Sequence, residues 1–285
     1  MSGWRNYPFD NLGEKGLFGL IKEAKIPLII HIRYKKLQGT FQSLPIRANA
    51  LLPLPLFSKK AIVRSLSRDK RTMTINFLGD SITEGCGADC PEHAYPSICA
   101  SLLRAKEGNY GLSGSRIARQ RANVGDAPDE DFLLRARWMN PCDFLFVFGG
   151  TNDYGHGDAP LGKKGDDTPW TFYGALRCLI EYLLDAKHLK KEQICFILPT
   201  PRFNEASPQG DGRVYWTKKP PLEDYRKAIC EVCAEYGIEA LRLTCLPAPS
   251  TCEPSEFYAD GLHPSNKGHR SIGEELASYL KKKGF

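Results

Sequence analysis

Residue types that nucleophilic catalysis needs occur at two distant places in the chain. A strand-like apolar run, residues 73–78, breaks into Gly79-Asp80-Ser81, and Asp260 and His263 lie three residues apart near the C-terminus. A serine hydroxyl is a weak nucleophile at neutral pH, so it needs a histidine base, and a carboxylate usually orients that histidine. The three residues are therefore candidates for a nucleophile, a base and an orienting group.

Each part also has a simpler interpretation when it is read alone. Ser81 suits a helix N-cap, with Glu84 completing a capping box, and Asp260 suits the cap of a polar turn. A further element favours catalysis. Asn152 follows the apolar run 144–148, and an asparagine amide at a strand end is a suitable hydrogen-bond donor for an oxyanion.

Gly114 is the last candidate for this chemistry. It lies in a glycine-rich turn, Asn109-Tyr-Gly-Leu-Ser-Gly114, after a short strand-like segment. Its simpler interpretation is a turn that needs a positive φ. Its functional interpretation is a backbone N–H that faces an oxyanion with no side chain in the way.

The elements that must position these residues alternate along the chain. Short apolar runs predict strands over residues 75–78, 109–112, 144–148, 194–198 and 239–243. Between them, helical spacing predicts helices that begin near Tyr95, Phe172 and Leu222, and a last one after Ser265. Strands separated by helices indicate a mainly parallel sheet with helices on both faces, and ligands bind such sheets outside the carboxyl ends of the strands.

Two long connections at that edge of the sheet are candidate binding loops. The first follows Asn152 and carries Tyr154 and His156, and the second, residues 201–221, carries Tyr215 and Trp216. We expect these four side chains, together with Asp80, to contact substrate. For His156 the plainer interpretation is a solvated loop residue.

The N-terminal part has a different composition from the rest. Residues 1–72 carry 14 Lys or Arg against 4 Asp or Glu, whereas residues 73–285 carry 25 against 29. We therefore predict a basic N-terminal extension over 1–72, poorly ordered or loosely packed, and a catalytic domain over 73–285. Whether the natural chain starts at Met73, and whether the extension packs on the domain or contacts a membrane surface, stays open.

Composition excludes several classes of protein. The basic charge is confined to the extension, so it gives no reason to expect nucleic acid as a partner of the main domain. No run approaches the roughly 20 apolar residues of a membrane span, and the first 30 residues lack the apolar core of a secretory signal, which predicts a cytoplasmic protein. The sequence does not indicate an oligomeric state.

The ten cysteines are spread through the chain and suit buried thiols of a reducing compartment. Cys230 and Cys233 have the spacing of a redox or zinc pair. They lie within a predicted helix without a second pair nearby, so this interpretation is the weaker one. We predict no metal and no cofactor.

Four segments taken together resemble one family, the SGNH or GDSL-type esterases and acylhydrolases. These segments are GDSITEG, NYGLSG, GGTND and DGLHP, and they follow the family's order over residues 73–285. Ile82 stands where the family's motif has leucine, an exchange between apolar residues. The resemblance implies a three-layer α/β/α sandwich with a flavodoxin-like sheet of about five strands.

The resemblance also implies roles for individual residues. Ser81 is the expected nucleophile, His263 the general base and Asp260 the residue that orients His263. The backbone N–H groups of Ser81 and Gly114 and the side-chain amide of Asn152 are the expected oxyanion hole.

The predicted activity is hydrolysis of a small-molecule ester through an acyl-enzyme. A polar loop and Tyr215 and Trp216 favour a short acyl group, above all acetyl, on a sugar or another polar alcohol. Thioesterase or lysophospholipase activity, and acyl transfer to an alcohol in place of water, remain alternatives. A catalytically silent carbohydrate- or lipid-binding module on the same fold is a further one.

Overall fold

The structure is a computed structural model that describes residues 71–121, 130–212, 218–249 and 254–285. The predicted extension, except for its last two residues, lies outside the described residues. No helix among those that the model describes is both long and apolar enough to cross a membrane.

Within the described ranges, five parallel strands form one sheet in the order β2-β1-β3-β4-β5. Their bounds are β1 Thr74–Gly79, β2 Lys106–Gly111, β3 Phe144–Phe148, β4 Ile194–Ile197 and β5 Glu239–Leu241. The predicted mainly parallel sheet is confirmed. The largest difference is at β2, which begins three residues before the predicted start. The prediction missed these residues because Lys106 and Glu107 are polar and give no apolar signal.

Helices cover both faces of this sheet. Their bounds are α1 Ser81–Glu84, α2 Tyr95–Leu103, α3 Phe132–Ala136, α4 Thr151–Gly155, α5 Phe172–Asp185, α6 Leu222–Tyr236 and α7 Asn266–Lys283. α2 and α7 pack together on one face, and α3, α5 and α6 pack on the other. The predicted α/β/α sandwich is therefore confirmed.

The sequence of strand β3 is continuously apolar because both of its faces are buried. Phe144, Phe146 and Phe148 pack in the core beneath α2 and α7. Leu145 and Val147 point to the other core, beneath α3, α5 and α6. Successive side chains of a strand face opposite sides, so a central strand covered on both faces must be apolar throughout.

Candidate active site

Ser81 is the first residue of α1, directly after the end of β1. Asp80 is the N-cap, and its carboxylate Oδ1 accepts a hydrogen bond from the Ile82 N–H at 3.0 Å. The preceding turn is tight: a Cβ at Gly79 would lie 1.8 Å from Thr83 Oγ1. Only glycine fits there, and the turn brings the Ser81 hydroxyl to the carboxyl edge of the sheet.

The capping-box interpretation of Ser81 and Glu84 is wrong. The cap is Asp80, and the Glu84 carboxylate accepts hydrogen bonds from the Ser113 N–H, at 2.7 Å, and from the Ser113 hydroxyl. Glu84 therefore holds the glycine-rich turn after β2 against α1.

His263 connects Ser81 to Asp260. Its Nε2 lies 3.0 Å from Ser81 Oγ, and its Nδ1 lies 2.7 Å from Asp260 Oδ2. The second carboxylate oxygen of Asp260 accepts the backbone N–H groups of Leu262, at 3.0 Å, and His263, at 2.7 Å. This turn stands just before α7, so the carboxylate and the imidazole are held by local backbone geometry.

The charge of Asp260 is favoured by its surroundings. Partial burial acts to raise its pKa, but the hydrogen bonds from the His263 ring and from two backbone amides outweigh burial and hold the pKa below its usual value. The carboxylate therefore stays ionised as a partner for Nδ1–H.

Donors suited to an oxyanion lie on the same cavity as Ser81. Asn152, on α4, is 4% exposed and donates one amide hydrogen to the Ser115 carbonyl at 3.0 Å, which leaves its second amide hydrogen unused by that bond. Gly114 has φ +75°, a left-handed conformation that glycine adopts without strain. Ser81 is the first residue of its helix, so its N–H has no partner within the helix.

Two adjoining cavities meet at His263. The first, of about 210 Å³, is lined by Ser81, Gly114 and Asn152. The second, of about 390 Å³, is lined by polar residues that include Arg202 and Asp260. His263, Asp211 and Leu262 line both cavities.

Two of the predicted substrate contacts are placed away from both cavities. The side chain of Tyr154 is fully buried, and its hydroxyl donates to the carbonyls of Asn204 and, at 3.2 Å, Ser207. Asp80 is 1% exposed and lies in the turn before Ser81. Ser81 and His156, one and two residues further along the chain, line the cavity of Ser81, so the direction of each side chain decides which residues reach the site.

Burial changes the acidity of Asp80. It raises the pKa from 3.8 to about 6, while the amide of Ile82 and the nearby His263 act in the opposite direction. A carboxyl group with this pKa still ionises at neutral pH, although less completely than an exposed aspartate.

Of the three remaining predicted contacts, one lines the cavity of Ser81 and two lie outside the described residues. His156 lines the cavity of Ser81 and is 5% exposed, so its interpretation as a solvated residue is wrong. It is buried because α4 ends beside the glycine-rich turn and the segment that carries Asp211. Tyr215 and Trp216 lie outside the described residues.

Four residues on the cavity of Ser81 were not predicted from the sequence, and one of them, Leu262, stands next to His263 in the quoted segment DGLHP. Ser113 stands next to Gly114 in the quoted segment, and its position there was an available signal. Cys86 and Asp211 belong to no recognised spacing. Only the packing of the loops brings them to the site.

The described residues contain one group with the spacing of metal ligands. Asp89, Cys90 and His93 lie together on an exposed to half-buried turn. Cys230 and Cys233 do not belong to it: Cys233 is fully buried in α6, and Cys230 faces outward.

Comparison with known proteins identifies the family of this chain. The family model of the GDSL-like lipase/acylhydrolase family matches residues 77–271. An acetylxylan esterase of Xylanibacter ruminicola is 25% identical over 223 residues, which is 72% of this chain and 42% of that protein. The chain thus spans less than half the length of that curated relative.

Solved structures show the same fold. A protein from Lactobacillus plantarum is 31% identical, with a TM-score of 0.60 over 74% of this chain and 98% of its own. The carbohydrate acetylesterase Est24 of Sinorhizobium meliloti, at 14% identity, shares the fold with a TM-score of 0.53, over 74% of this chain and the whole of its own. The family match covers more than half of the sequence, and the chain belongs to the GDSL-like lipase/acylhydrolase family.

Proposed function

We propose that residues 73–285 form a serine esterase that removes a short acyl group, above all acetyl, from a sugar or another small polar alcohol. One observation carries this proposal. Ser81 Oγ, His263 and Asp260 form a continuous hydrogen-bonded chain at a cavity that Asn152 and Gly114 also line. This is the arrangement that acyl transfer needs.

Acylation begins with Ser81. Its Oγ attacks the ester carbonyl carbon while His263 Nε2 takes the hydroxyl proton, and Asp260 stabilises the imidazolium that forms. The carbonyl oxygen becomes an oxyanion, which accepts hydrogen bonds from the N–H groups of Ser81 and Gly114 and from the amide of Asn152. The tetrahedral intermediate then expels the alcohol, which receives the proton from His263.

Deacylation repeats these steps with water. His263 removes a proton from the water molecule, and the resulting attack on the acyl-enzyme forms a second oxyanion in the same place. When this intermediate collapses, Ser81 Oγ leaves and regains its proton from His263. An alcohol that replaced water at this step would give acyl transfer.

The two cavities support the substrate class. The cavity beside Ser81, about 210 Å³, is smaller than the 300–1,000 Å³ or so of pockets that hold drug-sized molecules, which suits an acyl group of a few carbons. The adjoining cavity is lined by Arg202, Asn204 and Asp211, which suit a hydroxyl-bearing alcohol. Two proteins that are similar to this chain, an acetylxylan esterase and a carbohydrate acetylesterase, support the same substrate class.

Other activities of the fold are less well supported. A lysophospholipase or a long-chain thioesterase needs space for an acyl tail, and the cavity that the described residues form beside Ser81 holds only about 210 Å³. A silent binding module would lack one of the catalytic groups, whereas here Ser81, Asp260 and His263 are joined by hydrogen bonds.

Hydrolysis of p-nitrophenyl esters from acetate to palmitate, together with acetylated xylose, tests the proposal. We expect the highest kcat/KM for acetate and a loss of several orders of magnitude in Ser81→Ala and His263→Ala with folding unchanged. Ser101→Ala, at an exposed position of α2, is the matched control for a serine-to-alanine change away from the site. Normal turnover by Ser81→Ala would refute the mechanism, and a preference for palmitate would refute the substrate class.

A further inference from the structure

A second histidine and carboxylate pair lies on the cavity of Ser81. His156 Nδ1 stands 3.5 Å from Asp211 Oδ2, and His156 Nε2 stands 3.3 Å from the carbonyl oxygen of Gly114. The imidazole is 5% exposed, at the C-terminal end of α4. The mechanism above gives this pair no role.

The contact with Gly114 bears directly on the oxyanion hole. The carbonyl and the N–H of Gly114 flank the same Cα, so a donor that fixes the carbonyl restricts rotation of the residue and the direction of its N–H. Gly114, at φ +75°, has no side chain to hold it in place. Glu84 holds the preceding residue, Ser113, from the other direction. The turn itself is closed by the Ser115 N–H, which donates to the Leu112 carbonyl at 3.2 Å. The contact with His156 adds a restraint on the Gly114 carbonyl itself.

Asp211 extends this restraint to the helix that carries Asn152. Its carboxylate also accepts a hydrogen bond from Arg202, whose Nη1 lies 3.3 Å from the Thr151 carbonyl oxygen and 3.2 Å from Thr151 Oγ1. The Asp211 N–H donates to the Gly155 carbonyl at 2.8 Å. A chain of hydrogen bonds thus joins the Gly114 turn to both ends of α4.

The charges in this chain favour the same arrangement. Burial acts to raise the pKa of Asp211, but the hydrogen bond with His156 and the positive charge of Arg202 outweigh it and lower that pKa. A carbonyl oxygen accepts only, so in the contact with Gly114 the imidazole Nε2 is the donor.

We propose that His156 and Asp211 are a positioning pair for the oxyanion hole. His156 aims the Gly114 N–H into the cavity by holding the Gly114 carbonyl, and Asp211 holds His156 while Arg202 ties it to α4. This inference rests on the proposed esterase function, because it assigns the pair to the transition state of that reaction.

Substitution of His156 tests the proposal through the kinetic constants. Removing an oxyanion donor typically costs about 10²–10³ in kcat, so for His156→Leu, where the donor is misdirected but present, we expect a loss of roughly 10–100-fold with KM unchanged. In His156→Gln the amide Nε2 can replace the imidazole Nε2 as donor to Gly114. We expect kcat within about fivefold of wild type.

His188→Gln, on the exposed segment after α5, is the matched control and should retain wild-type kinetics. Thermal unfolding of all variants measures folding separately. An unchanged kcat in His156→Leu, a rise in KM alone, or equal losses in the Leu and Gln variants would each overturn the proposal.

A fluorophosphonate gives a second measurement that does not depend on the ester substrate. Ser81 Oγ forms a bond to phosphorus, fluoride leaves, the serine proton passes to His263, and the phosphoryl oxygen occupies the oxyanion hole. We expect the rate of labelling, followed by intact-protein mass, to fall about 10–100-fold in His156→Leu and to recover in His156→Gln. If esters are not cleaved but labelling is slow in His156→Leu and recovers in His156→Gln, the proposed function fails while the positioning role stands. Equal labelling rates in wild type and both variants overturn the positioning role.

Discussion

Replacement of Asp80 by asparagine is expected to stabilise the protein at neutral pH much more than at pH 4. Burial raises the pKa of this carboxyl from 3.8 to about 6. Between these two values the native state binds more protons than the unfolded state, so the stability of the wild type falls as pH rises and then levels off above about pH 6. Asparagine does not titrate and removes this loss.

The magnitude follows from the pKa difference. A difference of roughly two pH units between the pKa values of the native and the unfolded state lowers the unfolding free energy by about 3 kcal/mol. This loss is fully present above about pH 6 and is small at pH 4. Asparagine keeps an Oδ1 that can accept the Ile82 N–H, so the cap is preserved. Asp80 Oδ2 is buried and has no hydrogen-bond partner among the described residues, and any cost of placing an amide there is independent of pH.

Urea unfolding followed by circular dichroism at pH 4 and pH 7.5 measures this effect. We expect the free energy of unfolding of Asp80→Asn, relative to wild type, to increase by about 2–3 kcal/mol between the two pH values. Asp185→Asn, at the exposed end of α5, makes the same chemical change at the surface and should show no comparable shift. A difference between Asp80→Asn and wild type that is the same at both pH values would refute the reasoning.

Four further outcomes are expected. Asn152→Ala should lower kcat about 10²–10³-fold with little change in KM, measured with p-nitrophenyl acetate. Gly114→Ala should lose about 1–2 kcal/mol of unfolding free energy, because its φ is +75°, and a wild-type urea midpoint would contradict this. Burial lowers the pKa of Lys219 from 10.5 to about 8, so between these pH values the native state binds fewer protons than the unfolded state. The unfolding free energy of the wild type, relative to Lys219→Met, should therefore rise by about 2 kcal/mol between pH 7 and 9.5. A difference that stays constant with pH would count against this prediction. Esterase activity should survive dialysis against EDTA, since no step of the mechanism uses a cation; loss restored by Zn²⁺ would direct attention to Asp89, Cys90 and His93.

Much of the fold could be predicted because its signals are local. The bounds of β3 match the predicted 144–148, and α6 ends where Gly237, at φ +66°, stops it. A buried central strand must be apolar on both faces, and a helix that ends in a left-handed residue favours glycine. β2 was placed less accurately because an edge strand with polar residues carries little hydrophobic signal.

Some predictions lie beyond the described residues or the comparisons. The roles of Tyr215 and Trp216 and the nature of the segment 1–72 stay predictions, and so does the cytoplasmic location. The catalytic roles of Ser81, Asp260 and His263 await the substitutions described above.

The sequence by itself determined the family and the candidate residues Ser81, Asp260 and His263, because the four segments are short and their order along the chain is readable. Tertiary structure alone decided which neighbouring side chains reach the cavity. Tyr154 is buried in the core while His156, two residues on, lines the cavity with Asp211. It also decided that Asp80 is buried and its pKa raised. Side-chain direction, burial and contacts between distant loops depend on how the elements pack, and spacing along the chain does not encode them.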